Sequence, residues 1–474
     1  MTAALAQRVR ERLTPGDAGF DRRLIVPMAL GAVLNPINSS IIAVSLVPIG
    51  IAFGAPPSQT AWLVSGLYLA TSIGQPVVGR LVDSFGPRRL FLAGATLTGV
   101  AGVLGTVAPN LPVLVVARVI LGFGTCAGYP SAMRLIRSEA QRTGRSSPAS
   151  VLTILSVCSQ TVVVIGPTFG GLLIGLGGWR TTFAINVPLA LACLLLGVRR
   201  LPREDRAERT SRHPSLDVPG IALFAATLVA LLFFLVTPQL DRLWLVGVAV
   251  VAAAAFTVRE LHTADPFIDL RLLGGNVPLL LTYARALMSA VISYSFLYGY
   301  TQWLEDSHGM SAAHAGLVLL PMSALAVAVS AITGRRPEIK AKLLVGQTTQ
   351  VIACVLLLML TGASSIWLLL LVTVVLGIPQ GLNTLAIQNA VYFQADPERI
   401  GASAGLMRSF FYLGAIASSA VNGTFFDKTA DTAGLHDVGI FTVAVACLGL
   451  LITVTDRSLA RVGRDQTAEP SSKD

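Results

Sequence analysis

Charge is scarce in this 474-residue chain: Asp, Glu, Lys and Arg together make up only 13% of it. Beside a hydrophobic share of 53% and a mean hydropathy of +0.70, that scarcity excludes a cytosolic enzyme and a disordered chain alike. Cysteine is rare too. The five (Cys126, Cys158, Cys193, Cys354 and Cys447) are odd in number, all lie in apolar runs, and none falls in a CxxC or Cys/His spacing. Neither a disulfide nor a metal is expected. A Gly-x-x-x-x-Gly-Lys phosphate loop is missing, so ATP is not the expected energy source and no cofactor is expected. Acidic side chains are absent from the middle of every apolar run, and the five His residues fall in loops or at run edges. A membrane-embedded enzyme, which would need a nucleophile, an acid/base pair or a metal set, finds no such cluster.

What the chain has in abundance is apolar runs of about 20 residues, the length that crosses a hydrocarbon core as a helix. Fourteen are placed at 24–50, 60–81, 89–108, 111–133, 149–173, 180–198, 218–236, 243–257, 277–304, 311–333, 342–361, 365–391, 400–425 and 437–456. The predicted class is an all-α integral membrane protein. Residues 1–23 and 457–474 are polar tails, and 1–23 lacks the apolar stretch of a cleavable signal. With the N-terminus assigned to the cytoplasm, 29 of the 35 basic residues fall in inside segments. Only Arg180, Arg242 and Lys428 fall outside, and Arg118, Arg285 and Arg408 lie within runs. This bias predicts cytoplasmic termini and accounts for the net charge of +10 without nucleic acid.

A short inside turn, Gly79 to Leu90, carries Gly79, Asp83, Gly86, Arg88 and Arg89, and Gly334-Arg-Arg-Pro337 echoes it later. The echo suggests two six-helix bundles, 24–200 and 277–456, with 201–276 supplying a loop and an inserted helix pair. Asp83 can sit at a helix N-terminus or pair with an Arg of its own loop, as a latch on the cytoplasmic side. The plainer alternative is that the loop only obeys the positive-inside bias.

Intramembrane charges are functional candidates by default. Arg118 lies roughly 10 Å into its span, too deep for easy escape. Arg285 and Arg408 lie roughly 12 Å from a cytoplasmic helix end, where they either reach the headgroups or face a cavity and favour an anionic group. Gly166, Gly170 and Gly171 form a small-residue face beside Pro167, where a neighbour can approach closely and the helix can bend. Asn35, Asn38, Gln160, Gln347, Gln350, Gln380, Asn383 and Gln388 either line a pathway or bond helix to helix. Tyr300 and Trp303 read as an interfacial aromatic belt, with substrate stacking as the alternative, and the deeper Tyr294 reads as a cavity residue.

These segments bear a family resemblance. Gly79 to Leu90 resembles the signature loop of the major facilitator superfamily, and Arg118-Val-Ile-Leu-Gly-Phe-Gly124 resembles its fourth-helix motif. Gly166-Pro-Thr-Phe-Gly-Gly171 is similar to its exporter motif, while Trp179 to Pro188, Asp265 to Arg271 and the span count resemble the fourteen-helix drug:proton antiporter branch. At Asn35-Pro-Ile-Asn38 the chain departs from that branch, which commonly carries an Asp in the first helix. The two bundles predict a multi-pass secondary transporter of the plasma membrane working by alternating access, expected to act as a monomer, and the resemblance implies that it exports drugs or lipophilic natural products in exchange for protons. Arg118 would tune coupling, and Asp83, Glu305 or the substrate itself would titrate. A lipid or organic-anion exporter and a non-transporting sensor are the rival readings.

Overall fold

The computed structural model describes residues 21–143, 149–202, 217–236, 239–263, 266–268, 270–271, 275–333, 338–395, 400–426 and 428–460. A bilayer core offers no water to an unpaired backbone amide, so apolar runs close their hydrogen bonds locally, as helices. In chain order these are α1 (Ile25–Ile41), α2 (Leu46–Phe53), α3 (Pro57–Phe85), α4 (Pro87–Thr106), α5 (Leu111–Thr125), α6 (Gly128–Thr143), α7 (Ala149–Gly177), α8 (Thr181–Ala184) and α9 (Asn186–Arg200). Then follow α10 (Val218–Val236), α11 (Leu243–His262), α12 (Val277–Tyr294), α13 (Thr301–Asp306), α14 (Ala312–Thr333), α15 (Ile339–Leu357), α16 (Ile366–Gln394), α17 (Ile400–Phe425) and α18 (Thr432–Thr455). Ser295–Tyr300, between α12 and α13, is a widened π-helical turn.

Helix starts follow local chemistry. Asn110, Asn276 and Asp431 each accept a hydrogen bond from the backbone N–H three residues on, which caps α5, α12 and α18. Gly86, at φ 88°, turns α3 into α4 in one residue, a conformation that favours glycine.

The protein is an all-helical integral membrane protein. Eleven described helical stretches are long and apolar enough to cross a bilayer, and Ile165–Gly177 and Val218–Phe234 are shorter apolar stretches. Helices α1 to α9 pack among themselves, chiefly α1 on α7, α3 on α5, and α4 on α5 and α9. Helices α12 to α18 do the same, with α16 between α14 and α15, α12 on α17, and α15 on α18. Two long seams join the groups, α3 against α17 and α7 against α14, while α10 lies on α11 and touches both α3 and α17.

The seams are tight at one end. Ser419 Oγ donates to the Ala61 carbonyl at 2.9 Å, and Thr168 Oγ1 donates to that of Gly316 at 3.0 Å. Glycines permit this approach: a Cβ on Gly171 would stand 2.6 Å from the Ala312 carbonyl oxygen, and one on Gly316 2.6 Å from that of Pro167. Toward the other end, where the Gly79 to Leu90 turn lies, packing loosens. On α3 most of Ala61 to Thr71 is buried, whereas Gln75 to Arg80 are all partly exposed. On α17, Gly414 to Gly423 are mostly buried, while Phe410 to Leu413 are partly exposed. The two groups therefore enclose a cleft that is shut at one end and open at the end of the basic turn.

Candidate functional site

The closed end of the cleft rests on tyrosines drawn from both groups. Tyr68 of α3 packs edge-on against Tyr294 at 5.3 Å and stacks on Tyr412 of α17 at 5.6 Å. Tyr294 stacks on Tyr298 at 5.7 Å. The π-helical turn brings Tyr298 round, and such bulges recur at functional sites. Tyr298 donates its hydroxyl proton to the Ser39 carbonyl at 3.0 Å and lies 3.0 Å from the Tyr68 hydroxyl. Having spent its one proton on Ser39, Tyr298 accepts from Tyr68. Two hydrogen bonds thus cross between the groups through one side chain.

Behind this pair lies Arg118, 1% exposed. Its Nε donates to the Leu63 carbonyl at 2.8 Å and its Nη1 to that of Asn38 at 3.2 Å, while Nη2 is buried with no partner among the described residues. Among the described residues no carboxylate pairs with it. Its positive charge is therefore held by backbone dipoles beside the residue that Tyr298 grips, which ties the charge to the closed seam.

Arg408 of α17 stands partly exposed, its guanidinium 4.1 Å from the ring centre of Tyr129 on α6. Tyr129, Tyr294 and Tyr412 are also partly exposed, whereas Tyr68 and Tyr298 are buried. The aromatic surface offered to the cleft is thus Tyr129, Tyr294 and Tyr412, with Arg408 as its charge.

Arg285 is different. It is 0% exposed and forms a 2.5 Å ion pair with Asp456, with further donations to Thr453 Oγ1 and the Ile452 carbonyl. Asp456, just past α18, also accepts from the Ser458 N–H and hydroxyl. Burial opposes its ionisation, but Ser458 and Arg285 hold its carboxyl below the usual range. The expectation that Arg285 reaches headgroups or faces a cavity is corrected: it fastens α12 to α18.

Other predicted residues divide similarly. Asn38 donates to Asn186 at 2.7 Å and Asn383 to Gln350 at 2.8 Å, all four buried, so these are bonds between helices within one group and not pathway surface. Asn35 is partly exposed and donates to Thr125 Oγ1 at 3.1 Å. Gln380 is partly exposed, with a buried Oε1 that has no partner among the described residues. The side chains of Asp83 and Gln160, and the Gly334 to Pro337 echo, lie outside the described residues. The belt reading of Tyr300 and Trp303 is also corrected. Both are buried, donating to the Leu369 carbonyl and to Thr432 Oγ1.

In the exporter-like segment, Gly166 and Gly170 face α1, where added Cβ atoms would meet Ser40 and the Ile41 carbonyl, while Pro167 and Gly171 face α14. One helix thus abuts both groups through opposite small faces. In the basic turn, Gly79 meets open space, Arg88 donates to the Val198 carbonyl at 2.9 Å, Arg89 is exposed, and Arg80 donates to the Pro266 carbonyl. Near Pro266 the inserted pair is pinned by Asp217, which ion-pairs with Arg259 at 2.6 Å, and by Glu260, which accepts from the Ile268 N–H at 2.7 Å. Glu305 is partly exposed, with a buried Oε1 that lacks a partner among the described residues. Among the described residues no three His, Cys, Asp or Glu side chains gather to hold a metal.

Sequence reading missed Tyr68, Tyr129, Tyr412 and Asp456. The signal for the tyrosines was a hydroxyl inside an otherwise apolar span, which must find a partner. For Asp456 it was a carboxylate at the end of a span, within reach of a buried Arg.

Two helical groups joined along two seams, shut at one end around a polar cleft, are the build of a secondary transporter. A family model of the Major Facilitator Superfamily matches residues 28–419, and the chain belongs to that superfamily. It is a multi-pass membrane transporter. It is 32% identical over 444 residues to the uncharacterized MFS-type transporter YwoD of Bacillus subtilis (strain 168), covering 92% of this chain and 97% of that one. It is 30% identical over 454 residues to the lincomycin resistance protein of Streptomyces lincolnensis, covering 92% of each. Its fold matches the crystal structure of a bacterial homolog of the human lysosomal transporter Spinster, inward-facing and unoccupied, with a TM-score of 0.65 at 16% identity over 93% and 97% of the two chains.

Proposed function

We propose that this chain exports drugs or lipophilic natural products across the plasma membrane by alternating access, in exchange for protons. In this reading it spans the bilayer fourteen times as a monomer, with both termini and the basic turn in the cytoplasm. The cleft is then open inward. Residues 24–200 and 277–456 move against one another about the cleft, and the Gly79 to Leu90 turn governs the inner gate. The observation that carries the reading is the seam shut at one end over a cleft open at the other, with an arginine and a tyrosine pair at the junction.

Each residue set then has a task. The faces of Gly166, Pro167, Gly170 and Gly171 act as the pivot between α1 and α14, because a close backbone contact can shear without side chains to unlock. The Tyr298 bonds to Ser39 and Tyr68 hold the outer gate. Arg118 couples that gate to protonation, and the unpartnered Glu305 Oε1, with Asp83 on the inner side, supplies sites for the proton. Resistance and transport among the relatives support efflux as the direction.

The test is substrate-induced proton movement in inverted membrane vesicles, with cationic, neutral and anionic lipophilic compounds and Arg118→Ala as control. Proton release by a compound, lost in the variant, is the expected result. Silence across the panel from folded, inserted protein would remove proton-coupled efflux.

A further inference from the structure

The charge of the cleft goes further than its shape. Arg408 lies on the cleft and makes no hydrogen bond among the described residues. One flat face rests on Tyr129, 4.1 Å away, a contact that uses the face of the guanidinium and not its rim of N–H donors. Arg118, immediately behind the tyrosines, likewise has no carboxylate partner among the described residues, and its Nη2 is unsatisfied. A cleft with one such cation on its wall and a second buried just behind it repels a cationic solute and attracts an anionic one. Guanidinium rims engage planar carboxylates in a fork of two parallel bonds, and the ring stacked on Arg408 keeps that fork in one plane. Tyr294 and Tyr412 extend the same wall with aromatic surface, which binds flat rings by offset or edge contact.

We propose that the ligand of this cleft is an aromatic organic anion, its acidic group forked onto Arg408 and its ring lying against Tyr294 and Tyr412. This rests on the transport reading above and narrows it: the cargo is an acid, and not the lipophilic cation that a carboxylate-lined cleft would take. It also bears on the driving force. An anion leaving a cell that is negative inside moves with the potential, by about fiftyfold in equilibrium distribution per 100 mV. Export of such a cargo proceeds with no carboxylate titrating in the cleft itself.

The experiment compares 2-naphthoate, 2-naphthamide and 2-naphthylmethylammonium, three probes of similar size and different charge. Binding to the purified full chain and uptake into inverted vesicles are measured for each. The carboxylate is expected to bind about ten to a hundred times more tightly than the amide, the range of a charge-assisted pair over a neutral one. Arg408→Gln should erase that preference while keeping amide binding. Arg408→Lys, which keeps the charge but loses the fork, should restore it in part, and that graded rescue separates recognition from misfolding. Amide or ammonium carried as well as the carboxylate, or an unchanged preference in Arg408→Gln, would overturn the proposal and leave transport standing. No binding or flux of any probe would overturn both.

Discussion

Arg285 and Arg408 lie in one bundle, each about eight residues and roughly 12 Å from a helix end, yet they live in opposite surroundings. Arg285 is sealed between α12 and α18 with Asp456 at 2.5 Å, whereas Arg408 faces the cleft with an aromatic ring and no counter-ion among the described residues. A charge inside a membrane protein therefore does one of two jobs, and its partner tells which. Paired and buried, it holds helices together; at a cleft with no counter-ion among the described residues, it stands open to an anionic partner. Arg118 stands between the two, buried like Arg285 and, like Arg408, without a carboxylate partner among the described residues.

The sharpest way to break this contrast is to remove one member of the buried pair. Arg285→Ala should destabilise the protein by about 3–5 kcal/mol, because Asp456 is left charged and unpaired. The double variant Arg285→Met with Asp456→Leu should recover most of it. Thermal unfolding in detergent reads both. Loss of the pair without loss of stability would make Arg285 a cleft residue after all.

Next in size is the seam. Tyr298→Phe deletes two hydrogen bonds worth about 1 kcal/mol each, so labels across the Ala61 and Gly423 end should report a more populated outer-open form. Pairs of spin labels measure it, and an unchanged distance distribution would remove Tyr298 from the gate.

Asp456 adds a pH signature to the same comparison. Its carboxyl is held below its ordinary value in the fold, so it binds fewer protons folded than unfolded. Its stabilisation is present above about pH 4 and is lost as pH falls through the lowered folded value. Between pH 5 and pH 3 the wild type should lose more thermal stability than Asp456→Asn. Equal slopes would mean the pair does not hold in the folded protein.

The smallest stability effect belongs to Arg408→Ala. One partly exposed cation–π contact is worth about 0.5–1 kcal/mol, so unfolding should barely move while uptake of an aromatic carboxylate collapses. A large drop in stability would place Arg408 with Arg285.

Local chemistry was readable in the chain and distance was not. Helices could be placed from apolar runs, the Gly86 turn from a glycine between a helix end and a proline, and the small faces of α7 from Gly166, Gly170 and Gly171. The partner of Arg285 lies 171 residues away and the Tyr68 to Tyr298 contact spans 230, separations about which helical periodicity says nothing. Tyr300 and Trp303 misled for a related reason. Aromatics near a span's end suit the interface, but the π-helical turn of Ser295–Tyr300 and the packing of α13 put them inside.

The most direct test of alternating access is to fasten the closed end. A Cβ on Gly423 would lie 3.1 Å from that of Ala61, close to disulfide reach, so Ala61→Cys with Gly423→Cys can be oxidised across the α3 and α17 seam. Vesicle transport by the oxidised pair should fall to background and return on reduction. Full transport with the seam cross-linked would contradict the account.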